Sequence, residues 1–279
     1  MLSAHVVAVV LLAAVLHAGW NVAVRAHSDR RRESALLLLG GTLLAVVLLP
    51  FLPALPSAGW PYVLTSAALN GVFFILIAEA YSHGGIALAY PLMRGVAPMM
   101  TMTGAWLLFG ETLPPAGWIG IAAICCGVVL LAHRRGGANE ARAVRLALVN
   151  AVVIAVYTLN DAAGVRVTET PLTYTLWMFP LSAAPTLLWL RRSTPLRVPT
   201  SAEALRGICG AGASIGAYTL VLWAMTQAPV APVAALRETS ILAGVLLARV
   251  LLGERPGRRG WSGAVVIAAG AAILRLAPG

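Results

Sequence analysis

The chain has 279 residues, of which 59% are hydrophobic and only 11% are charged, whereas a soluble domain has roughly 25% charged and 45–50% apolar residues. This composition, with a mean hydropathy of +0.85, excludes an ordinary soluble domain and predicts an integral membrane protein made mostly of spanning helices. The formal net charge of +10 comes from 20 basic residues that are all arginine, so a Walker A phosphate loop and Schiff-base chemistry on lysine are excluded.

The apolar runs predict ten spans, because a spanning helix needs about 20 apolar residues. In chain order these spans are residues 2–24, 34–55, 61–83, 86–109, 115–133, 143–164, 171–190, 204–227, 229–252 and 258–276. The gaps are too short for a soluble domain. The gap at residues 134–142 is a natural linker, so we predict two halves of five spans each, residues 1–133 and 143–279.

The second half repeats the first. With an offset of 143 residues, the halves match at Arg94 and Arg237, Gly110-Glu111 and Gly253-Glu254, Gly117-Trp118 and Gly260-Trp261, and Gly127 and Gly270. Further upstream, an offset of 140 places His17 on Tyr157 and Asn21 on Asp161. Because each half has an odd number of spans, the second half must cross the membrane in the opposite orientation to the first, as in many secondary transporters. The predicted fold is an all-α polytopic membrane protein with two inverted five-helix repeats.

The arginines predict the orientation of these spans. The arginine-rich gaps all follow odd-numbered spans, whereas the gaps after spans two, four and eight contain no arginine and the gap after span six contains only Arg166. The positive-inside rule places the rich gaps in the cytoplasm. Both chain termini are then expected to face outward.

These halves resemble the EamA repeats of the drug/metabolite transporter superfamily. The resemblance rests on segments 89–98 and 109–113 in the first half, on 235–238 and 252–255 in the second, and on His17-Ala18-Gly19-Trp20-Asn21. It implies ten spans around a central cavity and movement of small metabolites, often amino acids or related compounds, commonly in exchange for protons. The chain departs from it at Glu238, where the first half has Gly95, and members are often drawn with both termini cytoplasmic.

Five charged residues inside the spans are candidate site residues, because a charge at mid-bilayer costs roughly 2.5–3.5 kcal/mol even on insertion scales. They are Glu79, Arg94, Asp161, Arg237 and Glu238. Their depths predict a Glu79–Arg94 pair and an Arg237–Asp161 pair, which leaves Glu238 without a partner and makes it the expected proton site. The alternatives are that each pair only locks two helices and that Glu238 is hydrogen-bonded to a neighbouring span.

Other polar and aromatic residues share helix faces at a spacing of four residues. The predicted substrate-binding set is Arg94, Arg237, Asn21, Tyr157, Trp223 and Tyr90, with Glu238, Glu79 and Asp161 supplying proton coupling or counter-charge. Asn21 and Tyr157 could equally be interhelical hydrogen-bond partners, and Trp20, His83 and Gln227 could be interfacial anchors. The prolines that flank the arginines, Pro91, Pro98, Pro229 and Pro232, indicate either broken helices near a site or packing kinks.

The expected function is that of a secondary transporter. It would move a small polar or zwitterionic, amino-acid-like metabolite across the cytoplasmic membrane by alternating access, as proton-coupled efflux. Its expected partners are the substrate, protons and the lipid bilayer; no enzyme activity, cofactor, metal site or nucleic-acid partner is expected, and the oligomeric state stays open. The alternatives are a lipid-like flippase and an intramembrane enzyme that acts on lipid-linked substrates. Glu111 and Glu254, at span ends, are interpreted as structural.

Overall fold

The computed structural model describes residues 2–25, 30–84, 86–131, 140–190, 198–252 and 257–276, and within them the chain is almost entirely helical. The helices are α1 (Ala4–Arg25), α2 (Arg30–Leu48), α3 (Trp60–Gly84), α4 (Ile86–Phe109), α5 (Pro115–Leu130), α6 (Glu140–Thr168), α7 (Pro171–Leu190), α8 (Ser201–Gln227), α9 (Val230–Arg237), α10 (Ser240–Leu252) and α11 (Arg258–Leu276). Two short 3₁₀ turns, Leu49–Phe51 and Ser57–Gly59, join α2 to α3.

Several of these helices are long and apolar enough to cross a bilayer. Six segments of the described residues meet that criterion, namely Ala4–Ala23, Arg32–Phe51, Ser57–His83, Glu140–Thr168, Ser201–Gln227 and Val230–Leu247. The apolar runs of the sequence therefore correspond to real helices. Most of the predicted linker lies outside the described residues, and its last three residues belong to the first turn of α6.

The ninth predicted span is divided in two. The helix stops after Arg237 and resumes at Ser240, whereas α4, the equivalent helix of the first half, runs without a break through Pro91 and Pro98. The prolines do not cause the break. Pro229 stands immediately before α9, and Pro232 lies in the first turn, where the missing N–H of proline leaves no intrahelical bond unmade.

The two halves meet along α5 and α11, which contact each other through glycines. A methyl group added to Gly270 would lie 2.7 Å from the carbonyl oxygen of Gly120, and one added to Gly263 would lie 2.7 Å from that of Gly127. Gly120 and Gly263 are equivalent in the repeat, as are Gly127 and Gly270. Gly120 therefore faces Gly270, and Gly127 faces Gly263. Each of the two contacts joins one glycine of each equivalent pair. Such reciprocal antiparallel contacts are expected for two halves of opposite orientation.

The remaining helices pack across the halves in the same reciprocal way. The first helix, α1, packs against α8, and its equivalent in the second half, α6, packs against α3. Similarly, α4 packs against α6, while α9 and α10 pack against α1. The interior is therefore built from helices of both halves, and α1, α4, α6 and α9 bring their polar residues toward it.

Ion pairs tie the helices together at one end of the bundle. Arg32 at the start of α2 makes two hydrogen bonds to the Glu203 carboxylate, at 2.9 and 3.0 Å, and Arg206 Nη2 lies 3.0 Å from Glu33 Oε1. Glu203 also completes a capping box with Thr200 at the start of α8. The beginnings of α2 and α8 are thus held side by side, at the end of the bundle that the arginine pattern predicts to be cytoplasmic.

A second set of contacts holds the opposite end. Arg166 Nη2 of α6 lies 2.8 Å from Glu111 Oε1, and the backbone N–H of Val230 donates to Glu111 Oε2 at 2.7 Å. Arg166 Nε also donates to the carbonyl oxygen of Met225 at 2.9 Å. Glu111 therefore caps the first turn of α9 and anchors α6. Its partner in the repeat, Glu254, lies outside the described residues.

Candidate functional site

The centre of the candidate site is a buried ion pair between the two halves. Arg94 Nε of α4 lies 2.8 Å from Glu238 Oε2, which follows α9. Arg94 is 7% exposed and Glu238 is 1% exposed. Each residue lies about eight positions after the start of its helix, and α9 begins where α4 ends, so each is about 12 Å from opposite ends of the bundle. The ion pair therefore lies near the middle of the predicted membrane.

Arg237 extends this ion pair to a cluster of three charges. Its Nε lies 3.8 Å from Glu238 Oε1, and the residue is 6% exposed. Glu238 thus faces both arginines, although neighbouring residues on a regular helix point about 100° apart. The helix is not regular at this point, which allows the arrangement. The N–H groups of Glu238 and Thr239 donate to carbonyl oxygens only three residues back, at 3.0 Å each, so the last turn of α9 is tighter than an α-helix. Tight turns of this kind within a span are typical of functional hinges.

The predicted Glu79–Arg94 pair is wrong. The Glu79 side chain is 53% exposed, and its carboxylate lies 3.9 Å from His83 Nδ1 on its own helix. The expectation that Glu238 has no partner is also wrong, because Arg94 faces α9 and forms an ion pair with Glu238. The pairing depends on the direction in which each helix faces, and depth along the helix does not give that direction.

The predicted Arg237–Asp161 pair is also replaced by other contacts. Asp161 is fully buried on α6 and accepts hydrogen bonds from Ser66 of α3, Tyr174 of α7 and Tyr218 of α8. The Tyr174 Oη–Asp161 Oδ1 distance is 2.8 Å. These hydroxyls lie in three separate apolar runs, each next to a threonine. Their only signal in the sequence is that each is a polar group in a span.

Asn160 adds a second layer to this hydroxyl cluster. Its Nδ2 donates to Ser66 Oγ at 2.9 Å and to the carbonyl oxygen of Tyr62 at 2.8 Å. The cluster therefore joins α3, α6, α7 and α8. It satisfies a buried carboxylate with donors that carry no charge.

The predicted substrate residues are distributed over different places. Tyr90 and Tyr157 lie within electrostatic range of Arg94, and so does His17. Asn21 uses its amide to donate to the carbonyl oxygen of His17 on its own helix, at 2.7 Å. Tyr90, Tyr157 and the two arginines thus belong to one polar region.

Trp223 lines a different part of the molecule. Its ring packs edge-on against His5 with a centroid distance of 5.2 Å. It borders a cavity of about 760 Å³, together with Arg166, Glu169 and Gln227, where α6 ends and α7 begins. This cavity lies at the end of the bundle held by Glu111 and Arg166.

Polar atoms without hydrogen-bond partners mark the charged cluster. Among the described residues, four buried atoms of the cluster make no hydrogen bond, as do single atoms elsewhere in the protein. Two of the four, Arg94 Nε and Glu238 Oε2, contact each other as the ion pair at 2.8 Å. The other two, Arg94 Nη2 and Arg237 Nε, have no such close contact. Buried donors in native structures are nearly always bonded, to protein or to ordered water, so these two need an explanation. They are suited to hold an acceptor group that the chain itself does not supply.

Comparisons with known proteins agree with this architecture. The model of the EamA-like transporter family matches residues 5–132 and again residues 141–276. Similar curated proteins include the spermidine export protein MdtI of Enterobacter sp. (strain 638), 33% identical over 72 residues, and that of Salmonella paratyphi B, 32% identical over 69 residues. Those matches cover 26% and 25% of this chain, and the chain spans 65% and 62% of the length of these relatives.

One solved crystal structure matches the fold over almost the whole length. It has a TM-score of 0.80 and 20% sequence identity, and the match covers 98% of this chain and 97% of the other. At this identity the similarity concerns the fold alone. With the family matched in both halves and with several apolar helices of spanning length, the chain is a multi-pass membrane protein that belongs to the EamA-like transporter family.

Proposed function

We propose that this protein is a secondary transporter that moves a small polar or zwitterionic, amino-acid-like metabolite across the cytoplasmic membrane by alternating access. The observation that carries the proposal is the buried Arg94–Glu238 ion pair. It joins one helix of each half, next to a broken helix, near the middle of the bundle. Charges at this depth are costly, and in membrane proteins they usually face substrate or ion pathways.

In this proposal all ten predicted spans cross the membrane, five in each of two inverted repeats, residues 1–133 and 143–279. The reciprocal glycine contacts of α5 and α11 support that arrangement, and so does the family match in each half. A pseudo-two-fold relation gives the transporter two conformations of similar energy, because the halves can exchange their relative positions. The charged cluster would then be exposed to each side in turn.

The ion pairs at the two ends of the bundle are suited to break alternately, so that one end opens while the other stays closed. The Arg32–Glu203 and Arg206–Glu33 contacts hold one end, and the Arg166–Glu111 contact holds the other. Ion pairs that water can reach contribute only about 0–1 kcal/mol. A transport cycle could therefore break and remake them without a large barrier.

We further propose that transport is proton-coupled efflux. The MdtI relatives are named as export proteins, which supports this direction. Glu238, Glu79 and Asp161 are the carboxylates that could carry the proton. Glu238 is the first choice, since it contacts the arginines of the proposed substrate site and its protonation would loosen Arg94.

A reconstituted system tests this function. Purified protein in liposomes with a pH-sensitive dye inside would be given radiolabelled amino acids, nucleosides, sugars and organic acids, one at a time. We expect uptake of at least one class, accompanied by proton movement. Uptake without proton movement would contradict the coupling. No uptake of any compound would contradict the transport function.

Variants of the carboxylates identify the proton carrier. Glu238→Gln is expected to abolish proton movement while some substrate exchange remains. Glu33→Gln is the matched control, because Glu33 pairs with Arg206 at the end of the bundle and lies outside the proposed site. If Glu238→Gln moves protons as fast as the unchanged protein, Glu238 is not the carrier.

A further inference from the structure

The charged cluster carries information about the net charge of the substrate. We propose, building on the transport function above, that the site selects a molecule with one net negative charge, borne by a carboxylate that binds between Arg94 and Arg237. Such a substrate would be a monocarboxylate anion. Within the class of small polar or zwitterionic metabolites proposed above, this charge requirement narrows the substrate to an anion. A zwitterion, an amine or a polyamine would fit the cluster less well.

The charge count is the first step of this argument. The cluster contains two guanidinium groups and one carboxylate, and among the described residues Glu238 is the only acid within ion-pair distance of either arginine. Tyr90, Tyr157 and His17, which lie within electrostatic range of Arg94, add no further carboxylate to the cluster. The side chains of the cluster therefore have one net positive charge in a buried place.

Asp161 does not supply the missing negative charge. Its carboxylate is already bonded to the hydroxyls of Ser66, Tyr174 and Tyr218, and it makes no ion pair with Arg237 in the part of the chain that the structure describes. The hydroxyl cluster satisfies Asp161 by hydrogen bonds, although Tyr218, one of its donors, lies within electrostatic range of Arg237. Among the described residues, the charge without an ion-pair partner is therefore on the arginines.

Hydrogen bonding is the second step. The Nη2 atom of Arg94 and the Nε atom of Arg237 are buried donors without a partner among the described residues. Guanidinium N–H groups make charge-assisted hydrogen bonds to carboxylates, and the two oxygens of one carboxylate can accept from donors on two arginines. One carboxylate of a substrate would satisfy these donors and neutralise the extra charge at the same time.

Other net charges leave the cluster unbalanced. A zwitterion adds no net charge and brings its ammonium close to two arginines. A polyamine adds positive charge to a place that already has too much. A dicarboxylate leaves a net negative charge. Only a monoanion brings the cluster, as counted above, to neutrality.

A set of molecules that differ in charge but hardly in size tests this inference. Leucine is a zwitterion, leucinamide a cation, N-acetylleucinamide neutral and N-acetylleucine a monoanion, and phenylalanine offers the same four forms. Uptake into proteoliposomes would be measured for all eight. We expect the monoanion of at least one series to be taken up at least ten-fold faster than its three counterparts.

The outcomes separate this inference from the transport function. If the transported compounds of this set and of the wider panel are zwitterions, neutral molecules or cations, the charge assignment is overturned while the transport function stands. If none of the compounds is transported, the transport function fails and the inference fails with it.

Variants of the cluster give a second, independent test. Arg237→Gln leaves one arginine and one glutamate, so the preference should shift from the monoanion to the neutral or zwitterionic form. Glu238→Gln leaves two arginines without a carboxylate. The uptake rate of a dianion such as N-acetylglutamate should therefore rise relative to that of N-acetylleucine. An unchanged preference in Arg237→Gln would overturn the proposal. Arg206→Gln, which removes an arginine at the bundle end, should keep the monoanion preference.

Folding is checked separately. Each variant would be examined by size-exclusion chromatography and by its thermal midpoint in detergent. If Glu238→Gln does not fold, the double variant Arg94→Gln/Glu238→Gln replaces it, since that variant removes both members of the ion pair. It retains Arg237 as one positive charge, so it should still prefer the monoanion over the dianion.

Discussion

At the scale of single residues, the most specific finding is a buried carboxylate that is stabilised without a cation. Asp161 accepts hydrogen bonds from three hydroxyl groups on three different helices. Hydrogen bonds to an ionised acceptor are roughly twice as strong as those between neutral groups. Asp161 therefore has hydrogen-bond donors from three helices in place of the arginine partner that its depth predicts.

Tyr174→Phe is expected to lower the free energy of unfolding by about 1.5–3 kcal/mol, the usual contribution of a hydrogen bond to a charged group. Asp161→Ala should cost more, because it leaves the hydroxyls of all three donors without their acceptor. Denaturation of the purified variants in detergent would measure both losses. Tyr62→Phe is the matched control, since the hydroxyl of Tyr62 makes none of the bonds to Asp161. Equal losses for Tyr62→Phe and Tyr174→Phe would contradict the assigned role of the hydroxyl.

At the scale of the helices, the contact between α5 and α11 depends on the absence of side chains. The glycines at positions 120, 127, 263 and 270 bring the two backbones close enough for a methyl group to collide with a carbonyl oxygen of the other helix. Small residues have this role in many membrane-helix contacts, because lipid gives no hydrophobic drive to hold helices together. The repeat places them symmetrically.

Gly263→Ala and Gly270→Ala should each destabilise the protein by about 1–3 kcal/mol, as overpacking of a close contact does. Gly244→Ala on α10 is the control: nothing lies within 4 Å of an added methyl group there, so the helix should gain up to about 1 kcal/mol from the lower backbone entropy of alanine. Thermal midpoints in one detergent would compare the three variants. If Gly270→Ala behaves like Gly244→Ala, the backbones are not in contact.

At the scale of the whole molecule, the distribution of arginine predicts the orientation in the membrane. The starts of α2 and α8 lie together with Arg32 and Arg206 at one end, and α9 begins beside Glu111 at the other. By the order of the predicted spans, the gaps rich in arginine are all expected at the first end. The positive-inside rule then places that end in the cytoplasm and both termini outside.

Reporter fusions measure this orientation. Alkaline phosphatase joined after the tenth span should be active, and a fluorescent protein at the same place should be dark, because this point is predicted to lie outside the cytoplasm. The same reporters joined in the gap at residues 191–203 provide the control and should give the opposite result. A fluorescent fusion after the tenth span would reverse the orientation and agree with the cytoplasmic termini that the family resemblance implies.

Properties that depend on averages along the chain could be predicted without coordinates. Hydropathy summed over about 20 residues is enough to recognise spans. The matches of Arg94 with Arg237 and of Gly127 with Gly270 are enough to recognise a repeat, and the segments around them carry the family resemblance. The candidate charged residues were also identified, since any charge in a span is conspicuous. None of these inferences requires knowing which way a helix faces.

The partners of those charged residues could not be predicted, because each depends on the rotation of a helix about its own axis. Glu79 turns outward, Arg94 turns toward α9, and Asp161 turns toward hydroxyls that no pattern distinguishes. The helix break at Glu238 could not be predicted either, because no proline or glycine lies at that position. Composition and periodicity established a helical membrane protein with two related halves, since these are local properties. The tertiary packing of α4 against α9 decided that Arg94 meets Glu238, because only contacts between the halves select one rotation from many.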